Sequence, residues 1–461
     1  MKQLVEQEIE RIVNLLVTSQ QTDGSWRYCF ESGALTDAFM IFLLRSLKIN
    51  DESLISNLAA RIARLQQEDG AWSLYHDEGG NLSATIQAYV GLLYSKRHHQ
   101  EDEHMRAAQG FILSRGGVDQ ADIIAKLMLA LAGRYPWQHL PSVPIEVMLL
   151  PSAAPVHFFD LSGHARVHLA PMLILSDQTF TLQNEHTPDL SHLIVNERQR
   201  QRDSVARTLY RQQQAYSRLI RQWLQLLGEP MAELHQQAVK KAERFMLERI
   251  EADGTLYSYA SATFLMIFAL LALGYRKDNP VITKAVQGLK TLVCSAAQGH
   301  HLQNSTSTVW DTALISHALQ TAGLSVSHPA VHKANHYILT RQHDQYGDWA
   351  LKNPHVPPGG WGFSDINTIN PDVDDTTAAL RAIDGETEEE GFLEAWNRGL
   401  RWLLSMQNDD GGWPAFEKNT EHPLLALLPV DYAKDFLIDP STADLTGRTL
   451  EFLGNHAGLT L

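Results

Sequence analysis

The chain has 461 residues, 44% hydrophobic and 20% charged, and its 53 acidic against 38 basic side chains give a formal net charge of −15. That length leaves room for a large core and two or three domains, while so acidic a surface repels phosphate and excludes nucleic acid as a general partner. The two cysteines, Cys29 and Cys294, lie far apart in sequence; they make neither a disulfide framework nor a zinc set and fit a reducing compartment.

The chain opens on an acidic amphipathic helix pattern, not a signal peptide. A short pattern then recurs after amphipathic helix patterns: Gln20–Gly24–Trp26, Gln66–Gly70–Trp72 and Gln407–Gly411–Trp413. Looser copies are Gln342–Gly347–Trp349 and the stretch from Glu251 to Tyr257. Each unit reads as a helix, a Gly-stopped turn, and a Trp covering the helix end while the Gln amide bonds free backbone groups. Recurring helical units of this kind predict a stacked or closed array of helix pairs.

Six prolines between Pro136 and Pro171 predict short helices and loops there. From 198 to 227 seven arginines face only Asp203 among acidic residues, with apolar residues at helical spacing. A basic amphipathic helix suits a monotopic contact with an anionic membrane surface, and equally a solvated helix packed by one face. No charge occurs from Thr255 to Tyr275, but the first third is rich in Ser, Thr and Tyr, so a helix buried on all sides is expected there, not a spanning one. The acidic run 385–391 reads as an exposed connection between helices.

Asp372, Asp374 and Asp375 follow Pro371 and precede an apolar helical pattern. Three carboxylates so close cannot all ionise cheaply when buried, so one should keep its proton well above about 3.9. Asp372 as a plain helix cap, with Asp374 and Asp375 at the positive end of the dipole, explains the same residues.

Together the Gln-Gly-Trp units and Asp372-Val373-Asp374-Asp375 resemble the squalene-hopene cyclase family of class II terpene cyclases. The segments 253–263, 304–313 and 439–448 resemble in particular its tetraprenyl-beta-curcumene cyclase group. The resemblance implies an all-α fold of two α/α barrels: residues 1–24 and 251–461 would form the acid-bearing barrel, and 25–250 an inserted one. It implies an enzyme that protonates a C=C bond of a polyprenoid hydrocarbon, squalene or tetraprenyl-beta-curcumene, and needs no cofactor and no metal. Asp374 would be the proton donor, Asp372 and Asp375 its ionised neighbours, and Asp439, Asp444 and Arg448 a second motif approaching them. Trp310, Phe363 and Phe416 would line the cavity, with His164 where squalene-hopene cyclases carry a Trp.

His164 and His168 form an i, i+4 pair without a third ligand at matching spacing. Peripheral attachment through 198–227 on the cytoplasmic side of the cell membrane is expected, and a homodimer is compatible with the family. Members continue beyond the position of Leu461, so the acid-bearing barrel is expected to be incomplete at its C-terminal end. An inactive prenyl-lipid binding fragment is therefore the alternative reading. A zinc prenyltransferase-like barrel shares the architecture but lacks a convincing ligand set here.

Overall fold

The computed structural model describes residues 1–457 except 76, 142, 196–219, 221, 223–229, 297–298, 387–388, 424 and 426–435. Helices dominate: α1 Lys2–Ser19, α2 Leu35–Leu47, α3 Glu52–Arg64, α4 Leu82–Ser95, α5 Glu103–Ser114, α6 Ile123–Leu131 and α7 Gly163–Asp177. They continue with α8 Met231–Leu247, α9 Ala260–Ala272, α10 Pro280–Thr291, α11 Thr308–Thr321, α12 Pro329–Leu339, α13 Val373–Ile383, α14 Glu390–Ser405 and α15 Ala443–His456. One antiparallel pair, β1 Val293–Ala296 with β2 Gly299–Leu302, is the sheet among the described residues.

Helices apolar on every side alternate with amphipathic ones, and sequence decides which is which. In α2 and α4 every residue after the first is buried, and α9 is buried almost throughout. The expected buried helix therefore lies at 260–272, and no described helix is long and apolar enough to cross a membrane. Between them α3 buries one stripe, Ile55, Leu58, Ala59 and Ile62, and α5 only Met105, Ala108 and Ile112, the narrow face of an outer helix. The inner helices touch one another: α2 packs on α4 and α9, α4 on α6, and α9 on α7. A second set, α11, α13 and α15, packs around its own core of Val309, Trp361, Leu380, Trp402 and Phe452. Helix α1 joins that second set through Val13, Leu16 and Trp26 against Leu319 and Val331. Five other apolar residues of α1, Leu4, Val5, Ile9, Ile12 and Leu15, are exposed.

The Gln, Gly and Trp residues share one geometry. Gln20, Gln66 and Gln407 each donate a side-chain N–H to the carbonyl of Gly24, Gly70 or Gly411 at 2.8 Å. Gln20 and Gln66 reach on to a neighbouring helix, at Ala330 and His104. The indoles of Trp26, Trp72 and Trp413 donate to the carbonyls of Leu16, Ile62 and Leu403, closing the preceding helix. The stretch Gln342–Gly347–Trp349 does not take this shape. Gln342 instead bonds the Gly359 carbonyl at 2.7 Å, and Trp361 donates to Ile338 at 2.8 Å, because the excursion 343–358 is looped out between Gln and Gly.

Two expectations need correction or qualification. Cys29 and Cys294 are not separate thiols: they form a disulfide with Cα atoms 5.8 Å apart. The chain after Trp26 runs beside β2 and the residue after it, where Phe30 donates its N–H to Gln303 and Ser32 to His301. The argument for a reducing compartment loses its support with them. The basic stretch 198–227 lies outside the described residues except Ile220 and Gln222, of which Ile220 is buried beside Leu234.

Candidate active site

The acid cluster is built by a crossing of two extended segments. Asp372 donates its N–H to the Trp361 carbonyl at 2.9 Å, and Trp361 donates its own to Thr376 Oγ1 at 3.0 Å. Gly360 makes the crossing feasible: a Cβ there would stand 2.8 Å from Pro371 and 2.9 Å from the Trp402 ring. Asp372 then takes extended backbone as N-cap of α13, and its Oδ1 accepts the N–H of Asp375 at 2.7 Å. Cap and acid cluster are thus the same residues.

The three carboxyls are not equivalent. Asp372 and Asp375 are 6% and 3% exposed. Burial, then the neighbouring negative charges, pushes Asp375 well above the usual carboxylate range, and its Oδ1 is buried without a hydrogen-bond partner. Asp372 is pushed up to about 6, chiefly by burial, while its bonds with Asp375 work the other way. Asp374 is more open and accepts from Arg448 of α15. Proton affinity is thus raised on the two buried residues by burial and by their neighbours' charge, while Asp374 is the carboxyl that meets Arg448.

These groups border a cavity of about 490 Å³. Trp310, Phe363 and Phe416 line it, together with Tyr259, Leu445 and Arg448. Tyr259 was not anticipated; burial and the charges of Asp372 and Asp375 push its phenol up, so it stays a neutral donor. Its place depends on an uncommon turn in which Tyr257 and Ser258 both have positive φ, 59° and 62°, a conformation costing about 1 kcal/mol or more for non-glycine residues. Aromatic faces beside an acid are the environment that attracts a cation.

Asp439 and Asp444 act apart from the acids. Asp439 is a buried pin: its carboxylate accepts the N–H groups of Ala415, Phe416 and Glu417 at 2.9, 2.7 and 2.7 Å. The Ala415 carbonyl in turn accepts from Val373 at 2.9 Å, which ties this loop to the start of α13. Asp439 thereby sets Phe416. Asp444 is exposed and reaches Arg448 one helical turn on, at 3.7 Å.

His164 is not among the residues lining the cavity. It lies against Phe436 at 4.6 Å and Phe416 at 6.4 Å between ring centres. Its Nε2 is buried without a partner, and burial, then His168 and Arg166, pushes it down to about 3, so the ring is neutral. His168 bonds the His164 carbonyl and Ser261, and no third ligand joins the two among the described residues.

Behind Phe416 is a buried ionic network that sequence reasoning missed. Arg166 pairs with Glu417 and, at 3.0 Å, with Asp348, which Arg249 holds at 2.5 Å. It links α7 and the end of α8 to the loop carrying Phe416.

With acids, pin and aromatic wall placed, the chain can be assigned to a class. Residues 9–298 match the squalene-hopene cyclase N-terminal domain and residues 306–459 the squalene-hopene cyclase C-terminal domain. The protein belongs to the squalene-hopene cyclase family. It is 46% identical over 463 residues to sporulenol synthase of Bacillus subtilis (strain 168), covering 99% of this chain and 72% of that one. It is 30% identical over 466 residues to the squalene–hopene cyclase of Alicyclobacillus acidocaldarius, covering 98% and 72%. The squalene–hopene cyclase of Zymomonas mobilis is 30% identical over 478 residues, covering 99% and 70%.

Proposed function

We propose that the protein is a class II terpene cyclase that starts polyene cyclisation by protonating a C=C bond of a polyprenoid hydrocarbon, of the tetraprenyl-beta-curcumene or squalene kind. The observation carrying this reading is the cluster Asp372, Asp374 and Asp375 at the edge of the aromatic-lined cavity. Asp372 and Asp375 hold a proton in reserve, and Asp374, the open carboxyl, delivers it when it leaves Arg448. Its O–H bond breaks as a C–H bond forms at the CH carbon of the terminal double bond, and the alkene's electron pair, used in that bond, leaves a tertiary cation at the dimethyl-bearing carbon. Neighbouring double bonds attack in turn, each forming a C–C bond and passing the charge on. Loss of a proton from the last cation makes the reaction an isomerisation; capture of water makes it a hydration.

Trp310, Phe363, Phe416 and Tyr259 face the cavity and would stabilise the migrating charge, each by about 0.5–2 kcal/mol. His164 would shape the wall behind Phe416. The alternation of inner and outer helices supports two α/α barrels, residues 1–24 with 251–461 and residues 25–250, and the Gln and Trp bonds support a repeated unit. A peripheral contact with an anionic membrane on the cytoplasmic side, through 198–227, rests on the basic amphipathic sequence there.

The test is incubation with tetraprenyl-beta-curcumene or squalene in detergent, followed by mass spectrometry of the extract. Cyclic products are expected, reduced by about 10²–10⁴-fold in Asp374→Asn, the range of a general acid. Unchanged products in that variant would refute the assignment of the donor. Tight hydrocarbon binding without turnover would instead support the prenyl-lipid binding reading.

A further inference from the structure

The connection between α4 and α5 brings together three metal-ligating side chains that the acid chemistry does not use. His98 follows the left-handed residue Lys96 that ends α4, and His104 is the second residue of α5. Their rings meet edge to face, with His98 Nδ1 and His104 Nε2 at 2.9 Å. One nitrogen of that pair already turns its lone pair toward the other ring, and tautomer exchange in that ring turns a second lone pair to the same point.

Asp102 supplies the third ligand because it does not do what its position suggests. It is the N-cap of α5, where an Asp side chain ordinarily bonds the N–H of the second or third helical residue. Here it makes no such bond. Its Oδ2 accepts instead from His99 N–H at 2.8 Å. The ligand atoms of His98, Asp102 and His104 all lie within 4.8 Å of one another. Around a tetrahedral ion with bonds of about 2.0–2.2 Å, ligands stand about 3.3–3.6 Å apart, so small ring movements complete the set.

The scaffold is held from outside the trio. Gln66 donates to the His104 carbonyl at 2.9 Å while also holding Gly70, and Gln100 donates to the Asp189 carbonyl at 2.8 Å. None of the three ligands lines the acid cavity.

We propose that His98, Asp102 and His104 form a binding site for a divalent transition metal of the zinc class, tying the exit of α4 to the entry of α5. Two imidazoles and one carboxylate are the donors that suit zinc, cobalt and nickel and leave a fourth position for water.

The experiment uses the full chain without an affinity tag, stripped with a chelator and titrated with zinc alone by calorimetry and with cobalt alone by visible absorption. Wild type is expected to take up one equivalent of cobalt with the intense absorption of a tetrahedral nitrogen and oxygen site, and zinc is expected to raise its melting temperature. His98→Gln/His104→Gln, and separately Asp102→Asn, should weaken that uptake by more than about 10–100-fold, the loss caused by removing even an outer hydrogen-bond partner of a ligand. Because Gln66 bonds the backbone of position 104, the variants keep that anchor, and circular dichroism checks their fold. Equal uptake by wild type and variants, or none by wild type at millimolar metal, overturns the proposal.

Discussion

Asp375 is the residue on which the acid cluster turns, because one of its oxygens is buried with nothing to bond. Native Asp375 and Asp372 bind protons more tightly than the same residues do in the unfolded chain, where Asp titrates near 3.9. Between that value and their native values the folded state carries more protons, so the stability this pair contributes falls as pH rises through the window. Urea midpoints should therefore decline from pH 5 to pH 8, and Asp375→Asn, neutral throughout, should flatten the decline. A steeper decline in the variant would contradict the assignment. The cluster was legible in the sequence because its members are adjacent. Which member meets a cation was not, since that depends on Arg448, 74 residues away.

Among the elements, the loop 415–417 brings Ala415 and Phe416 to the cavity, and Asp439 caps all three of its backbone N–H groups. Asp439→Ala would leave three backbone N–H groups without their acceptor and free Phe416 from its position. We expect a loss of about 2–4 kcal/mol in denaturant unfolding, since bonds to a charged acceptor contribute more than neutral ones, and an altered product mixture. A variant as stable as wild type would show that the pin is dispensable. The Gln and Trp units were legible wherever Gln, Gly and Trp are close in sequence, and were misplaced at Gln342, where residues 343–358 intervene. A further partner escaped notice. The backbone N–H that follows each turn donates to a threonine: Trp26 to Thr312, Trp72 to Thr85, Leu256 to Thr263, Trp361 to Thr376 and Trp413 to Thr446. Those separations range from 7 to 286 residues, so no fixed spacing announces them.

At the scale of the whole molecule, the two cores are joined by buried charge as well as apolar contact. Asp348 sits between Arg166 and Arg249, and removing it leaves Arg166 with Glu417 alone and Arg249 with Glu248 at 3.9 Å. Asp348→Ala should lower stability by about 3–5 kcal/mol, the loss seen when one partner of a buried pair is deleted, measurable as a shifted urea midpoint. A change under about 1 kcal/mol would mean that the network relaxes around the gap. The inner helices were evident from uncharged apolar runs, as at 260–272. The network was not, because Arg166 meets partners 182 and 251 residues further on, and nothing local marks such a meeting.

The indole bonds that close the helices have an optical consequence. Trp26, Trp72, Trp361 and Trp413 are buried, each with its N–H fixed on a carbonyl. Their emission reports helix ends distributed along the chain, from residue 16 to residue 413. Trp310, in the cavity wall, stands apart from that set. Its light comes from the place where a hydrocarbon would lie, so in this protein fluorescence from one residue type carries two separable signals, one from the scaffold and one from the site.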